Sequence, residues 1–77
     1  MEDFIKKFAD ALEMEDATIL SPETEFKSLS EWGSMAILSI IMMADEEFNA
    51  EIDADDIKSV NTLNQLFLLI QEKSDDF

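Results

Sequence analysis

The chain has 77 residues, a length that predicts one small domain spanning residues 1–77. It contains no cysteine and no histidine, which excludes disulfides, thiolate metal sites and the Ser-His and Cys-His pairs of nucleophilic catalysis. Its 19 acids against 5 basic residues give a net charge of -14, a surface that repels nucleic-acid phosphates and anionic lipid and attracts basic patches on proteins.

A hydrophobic content of 47% is too rich for a disordered chain. The opening residues MEDFIKKFAD are amphipathic and begin with acids, unlike a secretory signal. The expectation is a soluble, cytoplasmic protein.

Phe4, Ile5, Phe8 and Leu12 recur at helical spacing, so a first amphipathic helix is predicted from about Glu2 to Met14. Lys6, Lys7, Asp10 and Glu13 lie mainly on its other face. Asp16 to Gly33 has no sustained period and contains the turn-forming Ser21-Pro22 pair. It is predicted to be a long loop pinned to the core by Ile19, Leu20, Phe26, Leu29 and Trp32. Loops of that length in small domains often carry function.

A second helix, Met35 to Phe48, is apolar through Ala44 except at Ser39. Ile37, Leu38, Ile41 and Phe48 are expected to form its core stripe, with Met35, Ile40, Met42 and Met43 at the sides. The apolar run falls well short of the roughly twenty residues that cross a bilayer, so no membrane span is expected. A short third helix, Asp53 to Ser59, is predicted with Asp53 as its cap and Ile52, Ile57 and Val60 as its ties. Asn61 or Thr62 caps a fourth helix, about Leu63 to Lys73, whose Leu63, Leu66, Phe67 and Ile70 share one face. Asp75 to Phe77 is expected to be a frayed tail. With no strand alternation, the fold class is all-α: three longer helices, one short one, and a long loop between the first two.

The acidic clusters Asp45 to Glu47 and Asp53 to Asp56 invite a metal reading. A calcium loop starting at Asp53 needs a central Gly and a Glu at its twelfth position, but that position holds Asn64. Capping and solvation explain these acids better, so no metal ligands are assigned. No acid-base or nucleophile constellation is visible, so no catalytic residues are assigned and the protein is not expected to be an enzyme.

Among the serines, Ser34 alone follows a glycine, begins a helix and ends a long anchored loop. A helix start offers free N–H groups and a favourable dipole to a phosphate. It is also where serine caps helices, and from position alone the cap is the preferred reading.

The region FKSLSEWGSMAILSIIMMADEEFNAEI, Phe26 to Ile52, resembles the acyl carrier protein family: Phe-x-x-Leu, then a position matching Asp-Ser-Leu/Met, then an apolar helix ending in acids, Phe and a Glu-Ile pair. The resemblance extends over nearly the whole chain, including the short third helix and the Thr62-Leu63 start of the fourth. It implies a four-helix bundle of acyl-carrier type whose Ser34 bears phosphopantetheine through a phosphodiester. A phosphopantetheinyl transferase would attach this arm from coenzyme A with magnesium. Acyl groups would ride on its thiol as thioesters, presented to acyl-transferring, condensing or ligating enzymes acting in trans. Fatty acid synthesis is the default pathway, and specialised acyl or polyketide pathways are alternatives. A monomer is expected from the net charge.

Two positions depart from the family. Gly33 stands where Asp is usual, which predicts slower modification unless Glu31 compensates. The helix after Ser34 carries Ala36, Ile37, Ser39 and Met43 where many members have acids, and its acids begin at Asp45. Burying a Met or Ile contributes about 1.5–3 kcal/mol, more than an exposed ion pair. An apolar, weakly salt-sensitive partner surface is therefore expected around Gly33, Met35, Ala36, Ile37, Met43, Asp45 and Glu46. The competing reading of those apolar side chains is that they are core. The alternative function is an acidic helical adaptor that keeps this fold, is not modified, and acts through protein-protein contacts.

Overall fold

A computed structural model of the chain describes residues 2–74. The elements are α1 (Glu2–Ala11), α2 (Ser34–Phe48), α3 (Ala54–Lys58) and α4 (Leu63–Lys73), with single 3-10 turns at Ala17–Ile19 and Phe26–Ser28 inside the α1–α2 loop. The described residues form no extended strand. The expected tail from Asp75 lies outside them.

α1 ends earlier than its apolar spacing suggests. Glu13 takes a left-handed backbone (φ 57°). Its N–H donates to the Asp10 carbonyl (3.1 Å), and the Met14 N–H donates to the Ala9 carbonyl (2.9 Å). These paired bonds close the helix and turn the chain away. Leu12 and Met14 still pack on the core from beyond the helix end. Hydrophobic spacing alone cannot distinguish such a turn from another turn of helix.

The core joins Phe4, Phe8 and Ala9 of α1 to Leu20, Phe26, Ile40, Met43, Ala44, Ile57, Leu63, Leu66 and Ile70. Phe26 anchors the loop: its ring lies 5.8 Å from Phe8 and 5.0 Å from Trp32, both edge-on. Leu20 is buried with it, whereas Ile19 points outward, 60% exposed, and is not the anchor its hydrophobicity suggested. The loop also supplies acceptors to α4. The carbonyls of Pro22 and Thr24 receive the N–H groups of Asn64 (2.9 Å) and Leu63 (3.0 Å), first-turn donors that have no intrahelical partner.

α2 buries Ala36, Ile40, Met43 and Ala44. The expected stripe is therefore rotated: Ile37, Ile41 and Phe48 flank the buried row, and Leu38 faces solvent. On a helix apolar almost all round, periodicity does not select a face. The inward face here carries two alanines, whose small side chains let neighbouring elements approach closely.

α3 and α4 are held at their starts by caps. The Asp53 carboxylate accepts the Asp56 N–H (2.9 Å), and the Asp56 carboxylate accepts the Asp53 N–H (3.2 Å). Thr62, rather than Asn61, caps α4, accepting the Gln65 N–H at 3.2 Å, while the Gln65 side chain receives the N–H groups of both Asn61 and Thr62. Each reciprocal pair satisfies two orphan donors. Lys27 donates from Nζ to the Lys58 carbonyl (2.9 Å), tying the loop to the end of α3. The Asp16 carboxylate accepts hydrogen bonds from the Thr18 hydroxyl and N–H, which hold its pKa below the ordinary 3.8.

Among the described residues, no helix is long and apolar enough to cross a membrane.

Candidate functional site

Ser34 is the first residue of α2, and it is exposed. The loop delivers it there through Trp32, which packs on Phe26 and donates its N–H to the Leu29 carbonyl at 3.0 Å. The sequence-level cap assignment does not hold. Gly33 is the N-cap: its backbone is extended (φ -163°, ψ -172°), and its carbonyl accepts the Ala36 N–H at 3.0 Å. Ser34 is already helical, and no hydrogen bond engages its hydroxyl among the described residues.

Nothing within 4 Å would meet a Cβ at Gly33, and any residue adopts its backbone angles, so the local geometry does not require glycine. No acid lies in the first turn of α2. The amides at that end lack intrahelical acceptors, and the helix dipole adds partial positive charge there. Glu31 is exposed nearby, and its carboxylate accepts the Ser30 hydroxyl at 3.1 Å.

The residues expected to face a partner divide into two groups. Gly33, Met35, Asp45 and Glu46 are exposed. Ala36 and Met43 are buried core residues, 5% and 6% exposed, and Ile37 is half-buried against that core. The buried pair follows the inward row through Ile40, so neither can be a primary surface contact. In their place the solvent face offers Leu38 and Met42, 51% and 53% exposed, beside Met35 at 73%. Their spacing carried a usable signal. Asp45 lies seven residues after Leu38, and Glu46 four after Met42, so the acids mark the face these residues share.

No three metal-ligating side chains converge among the described residues. The carboxylates of Asp53 and Asp56 are engaged in capping α3. The arrangement at Ser34 is an accessible nucleophilic hydroxyl at the positive end of a helix, without a histidine to activate it.

Compared with protein-family models, curated proteins and solved structures, the chain finds no match.

Proposed function

We propose that this chain is a carrier protein of the acyl-carrier type, with phosphopantetheine esterified to Ser34. The observation that carries the reading is the exposed Ser34 hydroxyl, uncommitted to capping, at the start of a 15-residue helix. The residues present fit such a group. Gly33 leaves the approach open, and the first-turn amides and helix dipole favour a phosphodiester's negative charge.

When bound, the arm would supply a thiol that this cysteine-free chain lacks, carrying acyl groups as thioesters. The chain's own part is to present the Ser34 oxygen, which would form the bond to the pantetheine-side phosphorus of coenzyme A's diphosphate as the bond from that phosphorus to the bridging oxygen breaks, giving up its proton and releasing adenosine 3′,5′-bisphosphate. With no histidine in the sequence, a phosphopantetheinyl transferase would provide the base, acting on coenzyme A with magnesium. The carrier would then serve acyl-transferring, condensing or ligating enzymes in trans, in fatty acid or specialised acyl or polyketide biosynthesis. This reading makes it a cytoplasmic monomer with no enzymatic activity of its own.

Intact-mass measurement after incubation with coenzyme A, magnesium and a broad-specificity transferase tests the proposal. The wild-type chain is expected to gain one phosphopantetheine, and Ser34→Ala none. No gain with several transferases would instead favour an unmodified adaptor, for which Gly33 is the specific supporting feature.

A further inference from the structure

With no cysteine in the chain, its five methionines hold all of its sulfur, so oxidation at sulfur falls on thioethers alone. Four of them lie among the described residues, and the fold treats them differently. Met43 is buried, 6% exposed, and Met14 packs half-buried on the core. Met42 is 53% exposed at mid-helix, and Met35, directly after Ser34, is the most open at 73%. Met35 also borders an open cleft of about 270 Å³, lined as well by Leu12 and Glu31, so solvent reaches its side chain.

Position gives Met35 a second distinction. It is the second helical residue of α2, beside first-turn N–H groups that have no intrahelical acceptor. No acidic side chain occupies that turn. A thioether sulfur is a weak acceptor and leaves these amides to a phosphate. A sulfoxide is polar, and its oxygen stands as many bonds from the backbone as the amide oxygen of glutamine. The equivalent oxygen on Met42 would find no such donors, because mid-helix N–H groups already serve the carbonyls four residues back.

We propose that Met35 is a reversible oxidation site, whose sulfoxide takes the free first-turn amides of α2 and slows modification of Ser34. The oxidant is a peroxide. The Met35 sulfur lone pair forms the S–O bond as the O–O bond breaks. Sulfur is oxidised by two electrons, and the departing oxygen leaves as water with the proton of the transferred one. Sulfoxide reductases return the thioether. The effect on Ser34 rests on the carrier reading, whereas the choice of Met35 and the change at its amides do not.

The test treats the full chain with hydrogen peroxide and follows each methionine by peptide mass mapping. Susceptibility that follows exposure makes Met35 react about tenfold faster than Met43, with Met42 between them. In the isotope-labelled chain, conversion at Met35 is expected to shift the Ser34 and Met35 amide signals and slow their hydrogen exchange, and a sulfoxide reductase should reverse both. Loading with coenzyme A, magnesium and a broad-specificity transferase is expected to slow about two- to fivefold after oxidation. Peroxide should leave the loading rate of Met35→Leu where it stood before treatment, and should still slow that of Met42→Leu. Met35→Gln should reproduce the slowing without peroxide. Oxidation of Met43 as fast as Met35, unmoved first-turn amides, peroxide-sensitive loading in Met35→Leu, or loading indifferent to oxidation of Met35 would overturn the proposal. A reduced chain that no transferase loads would overturn the carrier reading and the effect on loading with it, while the mass map and the amide signals decide the oxidation site by themselves.

Discussion

Gly33 holds the N-cap of α2 with an extended backbone and open space where a Cβ would project. An Asp there would accept first-turn N–H groups and oppose the helix dipole, effects worth about 0.3–1 kcal/mol. Gly33→Asp is therefore expected to raise the melting temperature by roughly 2–5 °C. A melt that is unchanged or lower would show that the carboxylate does not reach the first turn. Under the proposed carrier reading, the same variant should be modified faster by a transferase, and equal initial rates would show that Gly33 does not slow the reaction. Ser34 itself was conspicuous from its neighbours, since only it joins a glycine, a loop end and a helix start. Its relation to the cap was not, because the cap and the first helical residue are one position apart and serine suits both.

The rotation of α2 decides which of its side chains reach the surface. Its sequence is apolar for most of its length, so the inward row through Ala36, Ile40, Met43 and Ala44 and the outward row through Met35, Leu38 and Met42 look alike in hydrophobicity. Substitution separates them. Met43→Glu would bury a carboxylate without a partner, at a cost of several kcal/mol. Stability in a domain this size is itself only about 3–5 kcal/mol, so Met43→Glu is expected to unfold it, seen as loss of the cooperative thermal transition. Met42→Glu, at a half-exposed site with similar helix propensity, should melt within a few degrees of wild type. A folded Met43→Glu variant would return that residue to the surface. α3 and α4 were the most legible elements, because Asp53 and the Asn61-Thr62 pair mark their starts in local chemistry, while the choice of Thr62 and the part of Gln65 came with the structure. The end of α1 was hidden, because Glu13 adopts a left-handed turn without the glycine that usually announces one.

Over the whole molecule, 19 acids against 5 basic residues leave strong self-repulsion in the folded state. Among the described residues one ion pair, Lys7 with Glu47 at 3.8 Å, joins side chains on α1 and α2. Raising salt from low ionic strength to about 0.5 M shortens the screening length to a few ångströms and should relieve the repulsion. The melting temperature is expected to climb by roughly 5 °C, equivalent to about 1 kcal/mol. A flat or falling curve would mean that attractive pairs outweigh repulsion in the native state.

Helical class, the order of the four helices, the Asp53 cap and the singular position of Ser34 were all determined by the sequence, because each depends on residues within a turn or two of one another. The rotation of α2 and the outward turn of Ile19 were decided only in the tertiary structure. They depend on which apolar faces can pack most closely around Phe8, Phe26 and Ile40, and that competition takes place between segments far apart in the chain.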